Sequence, residues 1–325
     1  MKAVLCKSWG PPDTLVVEEM PSPRPGKGQV AVSVKACGVN FPDVLIIQNK
    51  YQLKPELPFT PGSEIAGVVK QPGEGVHGYM PGDPVMALIG LGGFAEEVVV
   101  DESRLVPIPA GIDFEVAASF GVVHATAYHA LKDRAAIKRG ESLLVLGAAG
   151  GVGLAAVELG KLMGAWVIAC ASSDEKLETC KRHGAETVIN YEREDLRETL
   201  KKLTGGDGVD VVFDPVGGKY AEPAVRGMAW KGRYLVVGFA AGEIPRIPLN
   251  IVLLRGCSIV GVYWGDFARR ETEVHSANFR ELTAWLRAKK IKPLVGATYP
   301  LERAADALND VMNRRALGKV VLVTG

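Results

Sequence analysis

Apolar residues along this chain come in three textures. From residue 1 to about 120 they form short runs, "QVAVSVKA" (29–36), "EIAGVVKQ" (64–71) and "EEVVV" (96–100), cut by "PSPRPGKG", "PGEGVHGYMPGDP" and "IPAGID". β-Branched runs bounded by proline and glycine clusters read as strands and turns, so this stretch predicts a turn-rich β domain. From residue 121 to about 265 the runs are "SLLVL" (142–146), "WVIAC" (166–170), "TVIN" (187–190), "VDVVF" (209–213), "RYLVV" (233–237) and "SIVGV" (258–262). Amphipathic or small-residue helical stretches separate most of them. That alternation predicts a right-handed parallel sheet, and six strands make the two βαβαβ halves of a doubly wound α/β domain. The remainder predicts a helix near "ANFRELTAWLRAKK" (277–290), an extended "KPLVGATYP" (292–300), a helix over "LERAADALNDVMNRR" (301–315) and a strand in "KVVLVTG" (319–325). Leu301, Ala305, Leu308 and Met312 recur at helical spacing and predict a buried face. The expected division is a β domain over 1–122, completed by 266–325, around an α/β domain over 123–265.

Composition changes this picture little. The 325 residues, 47% hydrophobic with 38 glycines, can bury two sizeable cores. Lysine and arginine total 38 against 37 acidic residues, so the field that nucleic-acid binding requires is absent. The opening "MKAVLCKSWG" has only four consecutive apolar residues before Lys7, and nowhere do 18 run uninterrupted. The expectation is a soluble, cytoplasmic protein without a membrane partner. Cys6, Cys37, Cys170, Cys180 and Cys257 are odd in number, scattered and never C-x-x-C. They predict reduced, buried thiols rather than a disulfide framework or a zinc knuckle.

Candidate chemistry begins at "VLGAAGGVGLAAVELGK" (145–161), whose glycines are not spaced G-x-G-x-x-G. A dinucleotide turn needs glycine where the backbone swings sharply, where a pyrophosphate comes close and where helix presses on strand. Gly147, Gly150, Gly151 and Gly153 meet those needs, with Gly150, Gly151 and Val152 at the helix start. Close helix–strand packing alone would also use glycines. Position favours the nucleotide: the turn follows the first strand, and "PVGG" (215–218) follows the fourth, where the strand order of a doubly wound sheet reverses. NAD-selective sites place a carboxylate at the tip of the second strand, where this chain has Ala171, Ser172 and Ser173. Asp174 reads as a helix cap beyond it. Ser172 can donate to a 2′-phosphate and Lys176 can set a positive charge beside it, so NADPH is the expected cofactor. The alternative is a capped helix with a solvated lysine.

Six segments then carry a resemblance across the whole chain: "CGVNFPDVLIIQNKY" (37–51), "PFTPGSEIAGVV" (58–69), "HATAYHAL" (124–131), the glycine turn, "GAETVINY" (184–191) and "VVGFAAGEIPRIPLN" (236–250). Together the sequence resembles the zinc-free quinone oxidoreductase branch, the zeta-crystallin-like enzymes, of the medium-chain dehydrogenase/reductase superfamily. The resemblance implies an α/β fold, with a GroES-like β-rich catalytic domain, a Rossmann domain of six parallel strands and an active-site cleft between them. It also implies NADPH and, often, a homodimer paired through the sixth Rossmann strand.

Zinc enzymes of the superfamily carry a cysteine where this chain has Asn40 and a histidine where it has Ser63, although the following acid, Glu64, remains. Amide and hydroxyl are poor zinc ligands. Histidines 77, 124, 129, 183 and 275 show no ligand spacing with a cysteine, and His129, in an apolar helix, reads as a structural residue. No metal is expected. Hydride must then go to an acceptor that is electrophilic unaided, such as a quinone or an α,β-unsaturated carbonyl.

By resemblance, Asn40 faces the nicotinamide ribose or carboxamide, Thr126 lines the nicotinamide half, and Tyr191 lies near the adenosine 2′-phosphate. Phe239 and the backbone of Val262 and Tyr263 hold the nicotinamide. Tyr51, eleven residues after Asn40, occupies the position that related enoyl thioester reductases use near the substrate carbonyl or α-carbon. A phenol there can donate a hydrogen bond or a proton; a tyrosine packed at the cleft mouth is the alternative. Leu45 departs from a tyrosine common in the family and makes the pocket more apolar. Two other functions stay open. One is an enoyl thioester reductase, with Arg269 and Arg270 as rim residues for a coenzyme A ester. The other is a redox-silent NADPH-binding structural protein.

Overall fold

Fifteen strands follow one another in the computed structural model, which describes residues 1–325. They are β1 (Lys2–Leu5), β2 (Val16–Glu19), β3 (Gln29–Val39), β4 (Glu64–Pro72), β5 (Pro84–Leu88), β6 (Glu97–Asp101), β7 (Leu105–Pro107), β8 (Ser142–Val145), β9 (Trp166–Ala171), β10 (Thr187–Asn190), β11 (Val209–Asp214), β12 (Met228–Val236), β13 (Ser258–Gly261), β14 (Val295–Pro300) and β15 (Lys319–Val323). The chain divides into two units, Met1–Val122 with Pro293–Gly325, and Val123–Lys292.

The first unit is built on β3. Its eleven residues are long enough for one edge to pair β6 over Gln29–Ser33 and β15 over Ala36–Val39, all antiparallel, while β4 takes the other edge. The sheet runs β14-β15-β3-β4-β5-β7. Val32, Val34, Ile65, Val85, Phe94, Leu308 and Leu322 share its core. The face expected from Leu301, Ala305, Leu308 and Met312 is rotated. A 3-10 turn over Leu301–Arg303 precedes the α-helix Ala304–Met312, and Ala304 and Ala307 are buried with Leu301 and Leu308 while Ala305 is half-buried. Three residues per turn at the start advance the phase that a continuous 3.6-residue helix would keep.

The second unit is a wholly parallel sheet in the order β10-β9-β8-β11-β12-β13, the doubly wound arrangement with its reversal between β8 and β11. Helices cover both faces, so β8 and most of β9 and β11 are buried throughout and read as continuous apolar runs. β12 starts five residues before the expected run, at Met228, with a register irregularity opposite Val209–Val211.

The helices Trp264–Arg270 and Thr272–Arg287 belong to this unit, so the return to the first begins at Pro293 rather than at 266. The reason lies in polar contacts that an apolar pattern cannot display. Tyr128 donates to Glu281 at 2.6 Å, Asn278 donates to Asp133 at 2.8 Å, and the His129 ring stacks on Phe267 at 3.7 Å. His129 also meets Asp133 at 2.9 Å, the satisfied structural role expected of it. All five cysteines are buried and unbridged. No helix is long and apolar enough to cross a membrane.

Candidate active site

The turn after β8 is shaped by what its glycines lack. Gly147 has φ +59°, and a Cβ there would lie 2.6 Å from Val216 Cγ2, so the turn packs on the loop after β11. A Cβ on Gly153 would come within 2.3 Å of the Gly147 carbonyl, so only glycine lets the helix Gly151–Leu162 start this close to the strand. Its N-cap, Gly150, brings no capping side chain, and nothing stands nearer than 3.6 Å to where a Cβ would be. The helix therefore presents bare backbone, including the peptides of Gly151 and Val152, at the positive end of its dipole. That fits a pyrophosphate.

At the tip of β9 one expectation is corrected. Ser173, not Asp174, is the N-cap, accepting from the Lys176 N–H at 3.4 Å. Asp174 is the first helical residue. Hydrogen bonding to Arg193, at 2.9 Å, and to Asn190 holds its carboxyl below the usual carboxylate range. The acid nearest the strand tip is thus bound by its neighbours, while Ser172 is exposed and Lys176 half-buried in the first helical turn. Tyr191, just past β10, lies 4.2 Å from Tyr220 ring to ring. These groups follow the carboxyl ends of β9, β10 and β11, where Glu192 already takes up the Tyr220 hydroxyl and Lys219.

At the reversal, the buried Asp214 ends β11. One carboxylate oxygen accepts from the N–H groups of Val216 and Gly217, at 2.7 and 2.8 Å, and the other from the Tyr234 hydroxyl. Burial raises its pKa even against these donors. The "PVGG" turn is thereby tied down, and it is stitched to the next loop by Ala240 and Ala241 donating to the carbonyls of Pro215 and Val216. Phe239, in that loop, lies beside Gly217, where a Cβ would meet its ring at 3.0 Å. After β13, the Val262 N–H is committed to the Val236 carbonyl at 2.9 Å, and the Tyr263 carbonyl accepts from the Phe267 N–H at 3.1 Å. Thr126 is half-buried in the helix Gly121–Tyr128.

In the first unit, β3 runs straight into the helix Phe41–Ile47 through Asn40. Asp43 accepts from the Asn40 N–H at 2.8 Å, and Pro42 occupies the first turn, where no N–H is needed. Burial pushes the Asp43 carboxyl up to about 7, and its second oxygen has no partner. The Asn40 amide donates to Glu64 Oε1 at 2.9 Å and lies 3.3 Å from the Gly38 carbonyl and 3.4 Å from Ser63 Oγ. Its oxygen accepts from the buried ammonium of Lys319 at 2.6 Å, which also lies 2.6 Å from Glu64 Oε1. Tyr51 is half-buried and packs against the core of this unit.

Sequence reading missed Lys319, Asp214 and Glu158. Lys319 opens an apolar strand, where a lysine looks like a solvated end. Asp214 closes one, where an acid looks like a turn residue. Glu158, an acid in "AAVELG", was the visible signal: it lies between His124 and His183, at 3.3 and 2.7 Å.

Comparison with known proteins adds relatives over the full length. Residues 26–110 match the family model for the alcohol dehydrogenase GroES-like domain, and residues 151–286 that for the zinc-binding dehydrogenase. The chain is 40% identical to quinone oxidoreductase-like protein 2 homolog of Nematostella vectensis, covering 99% of this chain and 89% of that protein. It is 32% identical to human quinone oxidoreductase, with 99% and 98% covered. Escherichia coli quinone oxidoreductase, solved in complex with NADPH, superposes with a TM-score of 0.92 at 30% identity, covering 99% of this chain and all of that one. The second family model's name implies zinc, and the residues here do not fit it. Asn40 and Ser63 offer amide and hydroxyl in place of thiolate and imidazole, and an ammonium already lies against Asn40 and Glu64.

Proposed function

The chain belongs to the zinc-free quinone oxidoreductase branch of the medium-chain dehydrogenase/reductase superfamily, and on that premise we propose that it reduces quinones or α,β-unsaturated carbonyls with NADPH, without zinc. The observation that carries the proposal is the buried Asn40–Glu64–Lys319 cluster. It holds Asn40, which stands where a zinc enzyme carries its cysteine, against a buried Glu64–Lys319 ion pair. The cluster supports an acceptor that takes hydride without a Lewis acid.

NADPH, when bound, supplies the hydride. Gly150, Gly151 and Val152 hold the pyrophosphate by backbone N–H groups, and Ser172, Lys176 and Tyr191 receive the 2′-phosphate. Asn40, Thr126, Phe239, Val262 and Tyr263 orient the nicotinamide half. The Tyr51 hydroxyl donates a hydrogen bond or a proton to the reduced acceptor where one is needed.

An enoyl thioester substrate is not favoured. Arg269 and Arg270, the residues expected at its rim, both pair with Asp266, at 2.7 and 2.5 Å. The five buried, unbridged cysteines support a reducing compartment such as the cytoplasm. A homodimer through β13 is part of the same reading.

The test is NADPH oxidation with a panel of small quinones, enones and crotonyl-CoA, before and after exhaustive chelation. Turnover with quinones or enones that survives chelation is expected. Preference for the thioester would replace the substrate class, loss of activity together with bound zinc would overturn metal independence, and no turnover at all would leave a structural NADPH-binding protein.

A further inference from the structure

Lys319 is only 4% exposed, and its ammonium donates to three acceptors: the Val39 carbonyl at 3.0 Å, Asn40 Oδ1 at 2.6 Å and Glu64 Oε1 at 2.6 Å. Three protons thus meet three oxygens. The second oxygen of Glu64 accepts from the Val122 N–H at 2.8 Å, and Gly38 leaves the space the carboxylate needs, since a Cβ there would lie 2.5 Å from Glu64 Oε1. Stability is a weak reason for such a pair, because apolar side chains of similar volume commonly do as well as a buried ion pair. What apolar side chains could not do is orient an amide. With the ammonium on one side and the carboxylate on the other, the Asn40 oxygen must face Lys319 and its NH2 must face Glu64. The flipped amide would set NH2 against ammonium and oxygen against carboxylate.

We propose that Lys319 is the positioning residue for Asn40, fixing its carboxamide in the one orientation in which it receives the nicotinamide half of NADPH. This rests on the preceding reading that Asn40 meets that half of the cofactor. One Asn40 N–H is committed to Glu64, and the Gly38 carbonyl and Ser63 hydroxyl compete for the other.

A cycle of variants tests this by NADPH titration and by the melting temperature of the cofactor-free protein. Its arms are Asn40→Ala, the pair Lys319→Met with Glu64→Gln, and all three together; the pair removes both charges, so no unpaired ion stays buried. Asn40→Ala should raise the NADPH Kd roughly three- to tenfold, the loss of one neutral hydrogen bond. The charge-free pair should raise it by a similar factor, and the triple variant by no more than either alone, within about twofold. A structural role would lower the melting temperature yet multiply the two Kd losses, and that result overturns the proposal. An unchanged Kd in either Asn40→Ala or the charge-free pair overturns it too. Should the charge-free pair not fold, Lys319→Arg takes its place in the cycle, keeping the charge while losing the single nitrogen that reaches three acceptors. A wild-type protein that binds no NADPH removes the earlier reading and this one with it, whereas tight wild-type binding with multiplied losses removes only the role of Lys319.

Discussion

Lys176 stands in the first turn of the helix capped by Ser173, beside a strand tip whose nearest acid, Asp174, is already paired with Arg193. If Lys176 holds the 2′-phosphate, Lys176→Ala should weaken NADPH binding roughly ten- to hundred-fold, the worth of a hydrogen bond to a charged group. NADH should scarcely respond, and equal losses for both cofactors in parallel titrations would cancel the phosphate assignment. Tyr51 divides the two acceptor classes. A reduced quinone anion is delocalised over oxygen and ring and can take its proton from water, whereas an enone builds localised enolate charge that a nearby phenol can stabilise. Tyr51→Phe keeps the ring in its place against the core. It should retain most quinone turnover while losing at least about tenfold with enones, a floor below full general-acid catalysis. Steady-state rates at saturating NADPH check it, and undiminished enone turnover would leave Tyr51 as a packing residue.

Among the elements, the dinucleotide helix Gly151–Leu162 is fastened at Glu158. Its carboxylate meets His124 of the preceding helix, His183 at the end of Asp174–Arg182, and the Lys292 N–H at 3.3 Å. Burial alone would raise its pKa, but hydrogen bonds from the two imidazoles hold it down to about 2. An acid whose folded pKa lies below its unfolded value stabilises the fold above the unfolded value and loses that contribution as pH falls through the folded one. Stability from Glu158 is therefore complete at neutral pH and drains between about pH 4.5 and pH 2. Glu158→Gln should cost roughly 1–3 kcal/mol at pH 7 and flatten the stability profile across that acid window. Urea unfolding at a series of pH values measures both; an unchanged acid slope would mean that another group governs it.

For the whole molecule, β13 ends the parallel sheet with one edge unpaired. In the helix Leu249–Arg255, which precedes it in the chain, Leu249, Leu253 and Leu254 are each more than three-quarters exposed, and Trp230 on the neighbouring β12 and Ile244 are exposed as well. An open strand edge and large exposed apolar side chains are costly to leave in water, and a second copy of the same strand would cover the edge. The proposed homodimer makes a direct prediction: Leu253→Glu with Leu254→Glu should shift the protein to monomer in sedimentation velocity while its NADPH affinity changes little. A double variant that still sediments as a dimer places the interface elsewhere.

The sequence by itself determined the strands of the parallel sheet, the glycine turn and the absence of an acid at the tip of β9. Each of these is written in local pattern: apolar runs of fixed length, a residue without Cβ where the backbone must come close, a residue type at a strand end. It did not determine which residues close the first unit, because helix Thr272–Arg287 is held by Asn278 and Glu281 through polar contacts with residues about 150 positions earlier. It misread Ala305 because one 3-10 turn shifts a helical phase that pattern assumes constant. Above all it gave no sign of Lys319, whose ammonium reaches Asn40 and Glu64 across more than 250 residues of chain. A charge at the start of a strand looks the same in sequence whether water or a carboxylate neutralises it, and only the pairing of β15 with β3 brings that carboxylate within reach.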